Sequence, residues 1–433
     1  MDVSKRLQYN IAGPDQDREE CEKAFWLETT LDRHISGTLN FEIPPDPECF
    51  TDVNAAYISV TIQVFKADGR PLDRDDRVFV TPGSLQSLFQ SCQVFLNGCP
   101  LDPSNAYSWS ATLTSYFGVS KTARQDVWAE LAGQSPPNYN SSKILPKDVI
   151  GFMPGVNKVA GSKQYTLTGR LMSDFMQSCA QPLPPGMKLE VKLRRSPDAF
   201  SLCSCTEDRA QEYKVVINTA SLFVRRIRMC KPVLDRTLES LANGGGLAYT
   251  RMECIVNQIP AQGVSYRVGN LMGGGALPHT LYLVLANQMA FTGSKDYLGN
   301  YFETGFLKSI QVYENGRPVL TKPIQCRFVY GEEGQLEPGL SDATQPFLSM
   351  TQAMNGIADS HVTSGVNYYD FLRGTTVSCV QLNSCGGTRM APGFLDVELV
   401  LEEDIDRHPM LLLAFGEFEK HLRFDQNRRL VPF

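Results

Sequence analysis

Ser91-Cys92-Gln93-Val94-Phe95-Leu96-Asn97-Gly98-Cys99-Pro100-Leu101 and Ser309-Ile310-Gln311-Val312-Tyr313-Glu314-Asn315-Gly316-Arg317-Pro318-Val319 carry one pattern, S-x-Q-V-aromatic-x-N-G-x-P-aliphatic, 218 positions apart in a chain of 433 residues. Asn-Gly between apolar segments is the strongest short-range signal for a β-hairpin, because a type I′ turn needs positive φ at both central positions and these residues tolerate it. Asn97, Gly98, Asn315 and Gly316 are therefore expected to be structural hairpin turns. Phe41-Glu42-Ile43-Pro44 against Asn257-Gln258-Ile259-Pro260 gives a second echo at an offset of 216, and Pro185-Gly186 against Pro392-Gly393 a looser one at 207. Repeats of about 20 to 50 residues signal stacked solenoids or propellers, whereas a period near 218 leaves each copy long enough to bury its own core. The chain reads as two tandem copies of one domain.

Working outward, strands dominate. Tyr57 to Val64 places Ile58, Val60, Ile62 and Val64 on one face, and Leu189-Glu190-Val191-Lys192-Leu193 alternates apolar and charged residues. The second half answers with Thr280 to Leu285 and Leu395 to Leu401, and each half closes on a long β run, Tyr213 to Ile227 and Met410 to Phe424. Helices are few: Asp126 to Leu131, Phe347 to Met354, and Pro232 to Leu241, which ends at Asn243-Gly244-Gly245-Gly246. The expected division is an N-terminal arm over residues 1–24, a first domain over 25–230, a linker helix and loop over 231–248, and a second domain over 249–433. An antiparallel domain of this length is a sandwich or a barrel. The fold class expected is all-β, two tandem eight-stranded jelly rolls with short inserted helices.

Hydrophobic residues at 42%, charged residues at 20%, 34 Gly and 26 Pro describe an ordinary globular, turn-rich chain. A net charge of −6 argues against coating nucleic acid by charge alone. The polar start, Met1 to Arg6, reads as lacking a signal peptide, and the longest apolar run, Met410 to Phe415, is far too short to span a bilayer. No membrane insertion and synthesis in the cytosol are expected. The 12 cysteines read as reduced, mostly buried thiols.

Arg251 to Val319, with Ile259-Pro260-Ala261-Gln262, Leu281 to Asn287, Ala290-Phe291-Thr292-Gly293-Ser294-Lys295 and the second hairpin, resembles the hexon-like double jelly-roll major capsid proteins of Polinton/Maverick-type elements and of adintoviruses and adomaviruses. Phe41 to Leu101 and the closing stretch from Gly416-Glu417-Phe418 to Arg429 are similar in order and character. The resemblance covers most of the chain from about residue 25 and rests on structural patterns. It implies a structural major capsid protein of a double-stranded DNA virus or virus-like element, not an enzyme. Homotrimers would form pseudo-hexameric capsomers tiling an icosahedral capsid. Implied partners are neighbouring capsomers and penton-type vertex and cementing proteins. The implied location is the virion, with the host nucleus a candidate assembly site.

Enzymatic readings find little. His34, His279, His361, His408 and His421 form no metal motif, and Cys203-Ser204-Cys205 lacks a second ligand pair and reads as a plain loop. Gly244-Gly245-Gly246 and Gly273-Gly274-Gly275 lack the lysine and helix of a phosphate loop, and there is no G-x-S-x-G. No catalytic residue, cofactor or metal ligand is expected. The acidic groups at Asp73-Arg74-Asp75-Asp76-Arg77, Glu332-Glu333 and Glu402-Glu403-Asp404-Ile405-Asp406 read as solvated loops. They leave a glycan-binding or glycan-hydrolysing tandem jelly roll as the alternative. Arg194-Arg195 and Arg225-Arg226-Ile227-Arg228 could face a packaged genome, but suit contacts between subunits better, without specific nucleic-acid binding. Asn140-Ser141-Ser142 fits a glycosylation sequon, unused without secretion. Tyr107, Trp109 and Tyr139 are either contact anchors or ordinary packing.

Overall fold

The computed structural model describes residues 21–35, 37–101, 106–118, 129–133, 141–144, 149–179, 181–206, 211–242, 246–260, 263–273, 275–331, 336–355, 366–382, 392–402, 409–424 and 430–431. The first half contributes β1 (Cys21–Ile35), β2 (Thr38–Ile43), β3 (Cys49–Lys66), β4 (Phe89–Leu96), β5 (Cys99–Pro100), β6 (Tyr165–Arg170), β7 (Leu189–Arg195) and β8 (Tyr213–Met229). These form two antiparallel four-stranded sheets, β1-β8-β3-β6 and β2-β7-β4-β5. The second half contributes β9 (Gly246–Ile259), β10 (Ser265–Val268), β11 (Thr280–Asn287), β12 (Leu307–Glu314), β13 (Arg317–Pro318), β14 (Ser378–Gln381), β15 (Leu395–Leu401) and β16 (Met410–Phe424). Its sheets run β9-β16-β11-β14 and β10-β15-β12-β13, with Leu430–Val431 added to β16 and Ile324–Gln325 to β12. Adding eight to each strand number converts one order into the other. Each half is a jelly roll, and the chain is a double jelly roll.

Inserted helices are α1 (Tyr107–Gly118) and α2 (Val149–Val159) between β5 and β6, α3 (Lys231–Ala242) between the jelly rolls, and α4 (Thr344–Asn355) between β13 and β14. The period-two pattern does what burial requires: Ile58, Val60, Ile62 and Val64 on β3 meet Leu189, Val191 and Leu193 on β7 in one core cluster. β11 departs from it, because all eight of its residues are buried. A strand covered on both faces has no reason to alternate, and Leu281-Tyr282-Leu283-Val284-Leu285-Ala286 is accordingly a continuous apolar run.

Two expectations need correction. The Phe41-to-Pro44 echo is no equivalence: Phe41 to Ile43 end β2, whereas Asn257 to Ile259 end β9, the counterpart of β1. Cys203-Ser204 is no loop either, since Leu202–Ser204 is a buried strand paired with Val78–Val80. β1 starts at Cys21. Residues 1–20, 126–128, Tyr139, Asn140, Gly244, Gly245, Gly274, Glu332, Glu333, residues 403–406, His361 and His408 lie outside the described residues. Ala129–Ala132 are helical.

Candidate functional site

In both hairpins the backbone at Asn-Gly is left-handed: φ is 49° at Asn97, 82° at Gly98, 50° at Asn315 and 80° at Gly316. The asparagines do more than turn the chain. The Lys188 N–H donates to Asn97 Oδ1 at 2.8 Å while the Asn97 N–H donates to the Lys188 carbonyl at 2.9 Å. In the second jelly roll the Phe394 N–H donates to Asn315 Oδ1 at 3.0 Å, and the Asn315 N–H to the Phe394 carbonyl at 2.9 Å. Each asparagine thus clamps the residue that leads into β7 or β15, through an amide that mimics a ladder partner. The sequence pattern marks the turn but not the clamp, whose partners are 91 and 79 residues away.

The larger construction is the seam between the jelly rolls. The segment after β11 is held by backbone bonds to the first half: the Leu298 N–H donates to the Ser142 carbonyl at 2.8 Å, the Ile144 N–H to Asp296 at 2.8 Å and the Ser204 N–H to Lys295 at 2.9 Å. Lys295 Nζ donates to the Gln211 carbonyl at 2.6 Å, and Ser108 Oγ to Asn300 Oδ1 at 2.9 Å. Phe79, Ile144, Phe152, Val156, Cys203, Cys205, Leu298 and Tyr301 close a buried cluster across it. Burial there pushes the Cys203 thiol up to about 12, so it is an inert packing group rather than a ligand or nucleophile. A second patch lies where β9 begins. The Thr250 N–H donates to Ser178 Oγ at 2.8 Å and the Met252 N–H to Asp174 Oδ2 at 2.9 Å. Leu247, Tyr249 and Phe424 join the first jelly roll's core cluster.

The remaining candidates are structural. Tyr107 and Trp109 are 1% and 2% exposed and belong to the packing. Of the five clustered arginines, four are engaged within the first jelly roll. Arg195 Nη2 donates to Asp198 Oδ1 at 2.9 Å, Arg228 Nη2 lies 2.8 Å from Glu48, Arg225 Nη1 lies 3.9 Å from Asp52, and buried Arg226 donates to the Pro44 carbonyl. Asp73 accepts from Lys66 Nζ at 2.6 Å, and that bond lowers its pKa below the usual carboxylate value. His279 and His421 lie beside Glu417 and Glu419, at 3.8 and 3.6 Å. Among the described residues no group of three His, Cys, Asp or Glu side chains could hold a metal ion. No helix among them is long and apolar enough to cross a membrane.

No protein-family model matches the chain, and no curated protein matches it. Its fold is similar to that of solved viral chains. One from the Sputnik virophage is 13% identical with a TM-score of 0.61, over 98% of this chain and 91% of that one. One from the PBCV-1 virus capsid is 11% identical with a TM-score of 0.55, over 95% and 98%. The Faustovirus major capsid protein is 11% identical with a TM-score of 0.50, over 93% and 90%. The shared architecture is the hexon-like double jelly roll.

Proposed function

We propose that this chain is the structural, non-enzymatic major capsid protein of a double-stranded DNA virus or virus-like element. In this reading three chains form a homotrimeric capsomer with six similar units around its axis, and the capsomers tile an icosahedral shell. The observation that carries it is the identity of strand order in the two halves, combined with a fold likeness that spans nine-tenths or more of viral capsid chains. The division into 25–230 and 249–433, joined through 231–248, belongs to the same proposal. So do the Polinton/Maverick, adintovirus or adomavirus lineage, the vertex and cementing partners, and location in the virion. The seam supports it physically, since a tile needs its two units fixed relative to one another.

Light scattering after size exclusion tests this, followed by negative-stain imaging. The expected species contains three chains of 48.2 kDa each with a hexagonal outline. A stable monomer at micromolar concentration, with no higher species at raised concentration or salt, overturns the self-assembling tile.

A further inference from the structure

α1 and α4 hold the same place in the two jelly rolls, each 12 residues long and each inserted between the fifth strand and the sixth, yet they are packed differently. α1 is buried on two sides. Tyr107 and Ala111 enter the core of its own jelly roll, while Trp109, Leu113 and Tyr116, spaced i, i+4 and i+7, enter the core of the other. On α4, Met350 packs into the second core with Phe347 and Ala353 against it, whereas Gln345, Leu348 and Gln352, spaced i, i+3 and i+7, are exposed, Leu348 at 48%. The two most exposed large apolar side chains among the described residues, Tyr369 at 60% and Leu340 at 58%, lie on the same insert as α4. Phe347, beside Leu348, meets Tyr368, beside Tyr369, edge to face at 5.5 Å. Scattered apolar residues on a surface are ordinary, but three gathered on one insert mark a contact surface.

What covers α1 indicates what would cover α4. The second face of α1 lies against the segment that follows β11: Trp109 meets Phe291 at 5.7 Å, and Ser108 Oγ donates to Asn300 Oδ1 at 2.9 Å. In the first jelly roll the segment in that position follows β3, and there residues 67–75 are exposed apart from Leu72. Each chain thus leaves one such helix uncovered and one such segment exposed. Two unlike patches of this kind make a heterologous contact, which closes into a ring of three when each step turns by a third of a circle.

We infer that α4 of one chain docks, through Leu348, on residues 67–75 of a second copy, so that the seam inside the chain is repeated between chains. The inference rests on the homotrimeric reading. The chemistry of the two patches agrees. Pro71 and the methylene stems of Arg70 and Arg74 supply apolar surface for Leu348, and the amides of Gln345 and Gln352 can donate to Asp68, Asp73 or Asp75. Charged residues here replace the phenylalanine that α1 meets, so the contact between chains is more polar than the seam, as suits partners that are folded before they join.

Two measurements on the full-length protein test it. Leu348→Glu sets a carboxylate against three aspartates and should raise the concentration at which trimers half-dissociate about tenfold or more by light scattering, with the melting temperature of the dissociated chain unchanged. Leu348→p-benzoylphenylalanine, in trimers assembled from unlabelled and nitrogen-15-labelled chains, should on irradiation cross-link to residues 67–75 and join light chains to heavy ones. A wild-type protein that stays monomeric overturns the homotrimeric reading and this inference with it. Where wild type is a trimer, the inference alone is overturned if Leu348→Glu dissociates no more readily than wild type, or if the cross-links stay within one chain or reach another segment.

Discussion

The two jelly rolls share strand order but not the chemistry of their outer sheet faces. In the first, β3 alternates buried and half-buried residues, and its outer face carries cross-strand hydroxyl pairs, Ser59 with Thr168 at 2.9 Å and Thr61 with Thr166 at 3.0 Å. The aromatic ladder Trp26, Tyr57 and Phe223 runs beside them, with Trp26 nearly half exposed. In the second, β11 and the first seven residues of β16 are buried throughout, and α4 packs on β14 of the same sheet. Topology is thus set by the pattern of pairing, whereas the face a sheet offers to a neighbour is set by what else the chain lays across it. Three chains would present alternating surfaces around a tile, giving it threefold rather than sixfold chemistry.

The largest test of that contrast places a charge on each sheet. Val284→Lys on β11 should abolish soluble folded protein, because the ammonium has neither solvent nor partner and the cost exceeds about 4 kcal/mol. Thr61→Lys on β3 should cost under about 1 kcal/mol, its position being only half-buried. Comparable soluble yields and melting temperatures for the two variants would erase the distinction.

Next in size are the clamps. Asn97→Ala and Asn315→Ala each put alanine, which tolerates positive φ less well than asparagine, at the turn and remove a bond to the next strand, so each should cost about 1–3 kcal/mol by urea denaturation. Unequal costs would show that the halves no longer depend on the repeat in the same way. At the seam, Ser108→Ala leaves Asn300 Oδ1 without its donor, for about 1–2 kcal/mol. The expected sign is a broadened or split unfolding transition as the halves uncouple; a sharp unshifted transition would show that this bond does not join them.

The smallest effect concerns the β2–β7 and β10–β15 sides. Hydrogen bonding by Lys188 lowers the pKa of Glu190, and hydrogen bonding by Arg267, then by the Asn270 N–H, lowers that of Asp396. A depressed carboxyl stabilises the fold above its unfolded value, 4.5 for Glu190 and 3.8 for Asp396, and that stabilisation is lost as pH falls through the folded value. Glu190→Gln and Asp396→Asn should therefore be less stable than wild type at neutral pH by under about 1 kcal/mol and match it in strong acid. A gap that persists at the lowest pH would point to lost packing instead.

The sequence made the hairpins, the long strands and α3 legible because each obeys a local rule: positive φ wants Asn-Gly, period two wants alternation, and a helix wants a glycine after it. β11 was equally readable as a strand, but its cover on both faces emerged only from the fold. The seam was not readable, since Ser108 and Asn300 meet across 192 positions and neither residue type announces a partner. Within the arginine clusters, only the fold reveals that Arg226 turns inward to the Pro44 carbonyl.

Phe424, the last residue of β16, joins the first jelly roll's buried cluster although its strand belongs to the second. During synthesis the first half therefore emerges with an apolar gap that closes only once β16 has followed it. A nascent chain halted before β16 keeps that gap open to chaperones and proteases, so the first core is finished only when the second sheet is.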